Sequence, residues 1–241
     1  MQNSSLNAQS VRSFLRTLQS LAEISCPTST LAHLQKYLLS EGRWEFATYT
    51  RQLKKLEAAQ QNTFISSLNQ GQVESKLWLY EMLKTILPKG RYDFHFAGGW
   101  TGLTALLGIW LYPEMIKHSH SFDIDPTCEP LATLLNKPFS FTGEFSASTL
   151  DIHRFSYAPH QPSILVNTIC EHLSDFESWF RSIPSGQFLV LQSNNLFSAE
   201  GHVNCVENLS QFEALAPLNT VLFAGELELF DYKRFMLIGV K

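Results

Sequence analysis

Phe94-His95-Phe96-Ala97-Gly98-Gly99-Trp100-Thr101-Gly102 is the stretch on which the reading of the whole chain turns. A strand-like run from Asp93 to Ala97 breaks into a turn holding Gly98, Gly99 and Gly102, and an apolar helical stretch follows. Glycines suit such a place because they adopt backbone angles closed to other residues and let a ligand touch the main chain. Taken alone, the turn is equally compatible with an ordinary tight loop. The second signal is Asp123, in Ser119-His120-Ser121-Phe122-Asp123-Ile124-Asp125-Pro126. It closes the next strand about 20 residues past Gly102, where a carboxylate can accept hydrogen bonds from both ribose hydroxyls of an adenosine cofactor. Turn and acid together, at this spacing, point to a nucleoside site.

Outward from this pair the chain divides in two. Towards the N-terminus the apolar residues recur at three and four, the helical period. Val11, Phe14, Leu15, Leu18, Leu21 and Ala22 form one such stripe. Cys26-Pro27 breaks it, Thr28 or Ser29 is placed to cap a second helix through Leu31, Leu34, Tyr37 and Leu38, and Gly42 ends that helix. Further helices are expected over Trp44–Leu56 and Lys76–Ile86, before Pro88-Lys89-Gly90. Towards the C-terminus, strands alternate with helices. After Asp123 come a helix at Thr127–Leu135, a third strand somewhere in Phe139–Phe145 and a fourth at Ser163–Asn167. A helix at Leu173–Phe180, a fifth strand at Gln187–Gln192 and a helix at Leu209–Leu215 follow. Thr220–Leu229 and Arg234–Val240 have no helix between them and read as an antiparallel hairpin. The expected fold is α/β: a Rossmann-like, seven-stranded, mostly parallel sheet (residues 89–241) with a helical cap (residues 1–88) ahead of it.

Composition narrows the partners. Of 241 residues, 44% are apolar and 17% charged, so the chain is globular. The net charge of −4, with no basic block, gives no expectation of nucleic-acid binding. Met1 to Leu6 carry no basic segment before an apolar core, so no signal peptide is expected and a cytoplasmic location is. Leu103–Tyr112, the longest apolar stretch, falls short of the ~20 residues a bilayer requires. Cys26, Cys128, Cys170 and Cys205 are scattered without a C-x-x-C pair, so no disulfide framework is expected.

Two cofactor classes compete for the glycine turn. A dinucleotide favours G-x-G-x-x-G, with its pyrophosphate on a helix N-terminus, and glycines at 98, 99 and 102 fit that spacing imperfectly. S-adenosylmethionine has no phosphate and needs only a close backbone approach, and the terminal hairpin favours it. From Tyr92 to Lys241 the chain resembles the class I S-adenosylmethionine-dependent methyltransferases. The resemblance rests on the glycine turn, on Phe-Asp-Ile-Asp-Pro at 122–126, and on Asn167-Thr168-Ile169-Cys170-Glu171-His172-Leu173, similar to the family's fourth strand and the x-E-H that follows it. It implies that Ala97, Gly98, Gly99, Trp100 and Gly102 lie beneath the methionine part of the cofactor. It further implies that Asp123, with Ile124, takes the ribose and that Asp151 contacts the adenine amine. The chain departs from the family where His95 or Phe96 replaces the acid before the turn, and where Trp100 is bulky.

Other residues carry two readings each. Lys76, in Ser75-Lys76-Leu77-Trp78-Leu79, is placed to meet the methionine carboxylate; Trp78 reads better as packing on the sheet. Asn167 and His172 lie where a parallel sheet binds ligands, as a polar clamp and a general base. The alternative for this stretch is a helix start with Glu171 near the positive helix end. Ser193 and Asn194, with His202 on the same rim, are candidates for holding a polar substrate, against a solvated loop. Cys170, His172, His202 and Cys205 have an unusual spacing for zinc, and no metal is expected. Tyr232, Lys233 and Arg234 read as an exposed turn. The expected activity is methyl transfer from S-adenosylmethionine to a small polar molecule. The alternative keeps the cofactor but releases methylthioadenosine, by aminocarboxypropyl transfer as in nicotianamine-synthase-like enzymes or by cyclisation to azetidine-2-carboxylate. A third is an inactive cofactor-binding partner subunit. The sequence leaves the oligomeric state open.

Overall fold

The computed structural model describes residues 6–23, 28–157 and 163–241. Its N-terminal part is helical: α1 (Ala8–Glu23), α2 (Thr28–Ser40), α3 (Trp44–Leu53), α4 (Ala58–Ser67) and α5 (Gln70–Ile86). The break at Cys26-Pro27 and the side chains of Leu21, Ala22, Thr28 and Ser29 lie outside the description. Val11, Phe14, Leu15 and Leu18 are buried as one stripe of α1, as their spacing predicts. Two features depart from the expected pattern. Helix α4 has no counterpart in it, because its Gln60-Gln61-Asn62 run dilutes the apolar period. Helix α5 begins at Gln70 rather than near Lys76, started by Asn69, whose side chain accepts the Gln72 N–H at 2.9 Å.

The remainder alternates: β1 (Tyr92–Ala97), α6 (Leu103–Leu111), β2 (Ile116–Asp123), α7 (Cys128–Leu135), α8 (Lys137–Thr142), β3 (Phe145–Thr149), β4 (Ser163–Asn167), α9 (Phe176–Ser182), β5 (Phe188–Asn194), α10 (Leu209–Leu215), β6 (Thr220–Glu228) and β7 (Lys233–Val240). The third strand therefore starts where its expected range ends. Residues 137–142 are helical, with Pro138 in the first turn and Gly143 as a left-handed cap at φ 77°. The helix expected from Leu173 starts at Phe176, after a single 3₁₀ turn over Cys170–His172.

The seven strands lie in the order β3-β2-β1-β4-β5-β7-β6. All pairings from β3 to β5 are parallel, and β7 runs antiparallel to both β5 and β6. Side chains alternate between the two faces of each strand. Phe94 and Phe96 enter one core with α5, α6 and α7; Ala97, Phe122, Leu165, Leu189 and Leu191 enter the other with α9 and α10.

The first core does not stop at the sheet. Phe14 of α1 stacks on Phe46 of α3 with ring centroids 4.2 Å apart, and Phe46 and Tyr49 meet Trp110 of α6 at 5.4 and 5.3 Å. Helix α5 seats on α6 at Gly108, where a Cβ would overlap the Tyr80 ring. The Tyr80 hydroxyl donates to the Thr104 carbonyl at 2.9 Å. Since α5 leads into β1, its first turns lie at the C-terminal edge of the sheet. There Gln192 Nε2 of β5 donates to the Ser75 carbonyl at 3.0 Å.

Candidate functional site

Strand register brings the ends of β1, β2 and β4 into line: Ala97 pairs with Phe122 on one side and Asn167 on the other, and Asp123 pairs with Thr149. The glycine turn leaves β1 at this edge. Gly98, Trp100 and Gly102 have φ of 63°, 48° and 72°. A Cβ at Gly98 would overlap the Ile169 side chain, and one at Gly99 would overlap Ser121 Oγ, so the turn has no room for side chains there. Among the described residues Trp100 is the only non-glycine in the left-handed region. That conformation costs about 1–2 kcal/mol and persists where the surroundings enforce it. Asp123 supplies the enforcement. Its Oδ2 accepts the Trp100 N–H at 3.1 Å and its Oδ1 accepts the Asp125 N–H at 3.1 Å. A carboxylate has about four lone-pair sites, so each oxygen keeps capacity for one more donor. Ile124, next to it, is 69% exposed. Asp151, beyond β3, accepts the His153 N–H at 2.9 Å.

At the ends of β4, β5 and β7 lies a buried polar cluster. Asn167 is fully buried; its Oδ1 accepts the Ile169 N–H at 2.9 Å, and its Nδ2 has no partner. Glu171 and Arg234 form an ion pair at 2.9 Å with side chains only 2% and 4% exposed. Glu171 Oε1 also accepts from Asn194 Nδ2 at 2.7 Å, and Arg234 Nη2 donates to the Thr168 carbonyl. Asn194 Oδ1 accepts the Leu196 N–H at 2.8 Å, so both ends of Asn194 serve the protein itself. Lys76 is buried on α5, donating to the Gln72 carbonyl at 3.2 Å and to the Gln72 side chain. Burial first, and the positive Arg234 second, push the Lys76 ammonium down to about 7, against the opposing pull of Glu171. Asn167 Nδ2, Glu171 Oε2, Gln192 Oε1, Ser193 Oγ and Arg234 Nε are all buried without a partner. Such atoms cost about 1–3 kcal/mol each and are rare in native proteins. Five of the twelve such atoms found among the described residues lie at this sheet edge.

His172 and His202 flank this cluster on the rim, their rings edge to face with centroids 4.6 Å apart. The structure thus gathers Lys76 and Asn194 around the Glu171–Arg234 pair, with Asn167 at the neighbouring strand end and the two histidines beside it, whereas Ser193 faces the opposite side of the sheet with Phe235. Ala97, Gly98, Gly99, Trp100, Gly102 and Asp123 are gathered in the adjoining neighbourhood. Arg234 corrects an expectation: it is buried, because β7 lies between β5 and β6 and pairs Arg234 with Asn194. Glu171 belongs to the same correction, being fixed by Arg234 rather than by a helix end. An arginine beside an internal strand offered the signal, but only the inserted β7 supplies its partner.

No family model matches the chain, and no curated protein matches it. Solved structures do. The N-methyltransferase NodS from Bradyrhizobium japonicum WM9, in complex with S-adenosyl-L-homocysteine, superposes with a TM-score of 0.52 at 17% identity, covering 70% of this chain and 88% of that one. The fold is that of the class I S-adenosylmethionine-dependent methyltransferases. Magnesium protoporphyrin IX methyltransferase (ChlM) from Synechocystis PCC 6803, with bound S-adenosylmethionine, gives a TM-score of 0.51 at 12% identity over 88% of this chain and 96% of that one. The [4+2]-cyclase SpnF gives 0.56 at 10% identity over 70% and 82%. Among the described residues no helix is long and apolar enough to cross a membrane.

Proposed function

We propose that the chain binds S-adenosylmethionine and transfers its methyl group to a small polar molecule. The observation that carries this reading is the contact between Asp123 and the Trp100 amide. It ties the acid to the glycine turn, holds Trp100 in a strained conformation, and leaves one acceptor position on each carboxylate oxygen for a pair of ribose hydroxyls. The residues fit the cofactor in other respects. The turn from Gly98 to Gly102 offers bare main chain, Asp151 and Ile124 border the adenine side, and the unpartnered Nδ2 of Asn167 is a donor in search of an acceptor. When bound, the sulfonium supplies an electrophilic methyl group.

The protein's own part is alignment, exclusion of water and removal of a proton. Alignment comes from side chains fixed at the strand ends, which turns a bimolecular encounter into an oriented one. Helix α5 lies over β5 through Ser75 and Gln192 and keeps the edge dry. Lys76, with its ammonium lowered to about 7, exists partly as the neutral amine near neutral pH and is suited to take a proton from an acceptor. Asn167 holds a polar group of the acceptor through its free Nδ2, and Asn194 keeps Glu171 in place.

The partnerless atoms favour a second reading as well. A lysine, an amide donor and the acceptors Gln192 Oε1 and Glu171 Oε2 complement an α-amino acid, which is also the tail of this cofactor. Attack on that tail would release methylthioadenosine. Mass spectrometry of purified protein incubated with S-adenosylmethionine separates the two. S-adenosylhomocysteine that appears only with a small-molecule extract supports methyl transfer. Methylthioadenosine above the enzyme-free background supports the second reading, and neither product from a folded protein refutes both.

A further inference from the structure

We infer that Glu171, His172 and His202 form a binding site for one divalent transition-metal cation. One donor atom from each residue lies within 4.8 Å of the other two. The protonation pattern of the imidazoles follows from their neighbours. His172 Nδ1 is 3.0 Å from the Gly201 carbonyl, and His202 Nδ1 is 2.9 Å from the Leu196 carbonyl. A carbonyl only accepts, so each Nδ1 carries a hydrogen and Nε2 is the nitrogen left to face a metal. A metal-binding histidine is oriented in this way, with its second nitrogen donating to a backbone carbonyl.

The carboxylate adds an independent observation. Glu171 is 2% exposed, its Oε1 already takes Asn194 and Arg234, and its Oε2 has no partner. Arg234 balances the charge of this carboxylate, but a buried oxygen with no partner is costly until a donor or a metal meets it. The backbone also holds the two segments together. The N–H groups of Val203 and Asn204 both donate to the Glu171 carbonyl at 2.9 Å, and Asn204 Nδ2 donates to the Cys170 carbonyl at 3.4 Å.

Two imidazoles and a carboxylate suit zinc, iron(II) and their neighbours, and three protein ligands leave a position open for water or a substrate atom. Donors on one such ion stand about 3–3.5 Å apart, given bond lengths near 2.1 Å. The three donors, now within 4.8 Å of one another, have to draw closer when the ion binds. The nearby thiols are otherwise engaged: Cys170 Sγ lies 3.6 Å from the Asn167 carbonyl, and Cys205 Sγ lies 3.5 Å from both Asn194 Oδ1 and His202 Nδ1. The site therefore uses oxygen and nitrogen, and a metal held there competes with an amino-acid tail for the free Glu171 Oε2.

The test uses chelator-stripped full chain without S-adenosylmethionine, titrated with Zn²⁺ by calorimetry and with Co²⁺ by visible absorption. One equivalent of each metal is expected, with cobalt ligand-field bands and no sulfur charge-transfer band. His172→Ala and His202→Ala should each weaken binding about tenfold or more, while His33→Ala on α2 leaves it unchanged. Both histidines lie on the rim, and circular dichroism checks that the variants fold. Substoichiometric binding to the wild-type chain, a thiolate band, or unaltered affinity in the folded double variant would overturn the site.

Discussion

Replacing Asp123 with alanine tests the assignment of the cofactor edge. The variant loses two acceptors for main-chain donors, Trp100 N–H and Asp125 N–H, each at 3.1 Å. Both lie near the surface, so water takes over much of their bonding, and Trp100 is free to leave its left-handed conformation. The effect on folding is therefore modest, about 1 kcal/mol per lost bond. The effect on binding is larger. Two hydrogen bonds from ribose hydroxyls to a charged carboxylate contribute about 1.5–3 kcal/mol each, together about 3–6 kcal/mol. At about 1.4 kcal/mol per factor of ten, affinity for S-adenosylmethionine should fall roughly a hundredfold to ten-thousandfold. Calorimetric titration of the wild-type and variant chains measures this directly, with circular dichroism and thermal melting to show that the variant is folded. Asp125→Ala is the control. Asp125 Oδ1 is occupied by the Thr127 amide and hydroxyl, and its loss removes the same formal charge two residues away. A folded Asp123→Ala chain with Kd within about threefold of wild type would refute the reasoning. So would an equal loss in the control.

Arg234→Met should destabilise the chain by about 3–5 kcal/mol in urea unfolding with chelator present, because it leaves Glu171 charged, buried and unpaired; a loss below about 1 kcal/mol would show that the pair is open to water. Acid should weaken the fold through His95. Burial lowers its pKa to about 4, and burial also lowers its neighbours His118 and His120. The unfolded chain then binds protons that the native one refuses, so stability is whole above about pH 6.5 and declines as pH falls towards about 4. His95→Gln should flatten the urea midpoint against pH over that window, and an unchanged slope would count against it.

The glycine turn, Asp123 and the alternation from Tyr92 onward were legible because each rests on local chemistry: a turn too tight for side chains, a strand closing on an acid, periods of two and of three to four. Phe139–Phe145 misled because its alternating phenylalanines match a strand, while the Pro138 start and the Gly143 stop of a one-turn-and-a-half helix outweigh so short a period. Helix α4 was hidden by its polar run. The ion pair of Glu171 with Arg234 joins residues 63 apart, one of them on a strand inserted between two others. No local pattern announces such a partner. The same holds for Gln192 and Ser75, which are 117 positions apart. Candidate residues at the strand ends were visible one by one, but which of them bond to each other and which keep a free atom depends on the order of strands.

The aromatic cluster shared by α1, α3 and α6 bears on how this chain can change over evolutionary time. Phe14, Phe46 and Tyr49 come from the N-terminal helices, and Trp110, which they surround, comes from the helix after the glycine turn. A lineage cannot trade its first five helices for those of another and keep the rest, since the exchange would strip Trp110 of its aromatic packing. A volume change at Phe14 has to be answered at Trp110 or at the rings between them. The helical stretch and the sheet are thus inherited as a single unit, and diversification is left to the rim, where Ile124, Phe197 and Val203 stand exposed around the strand ends.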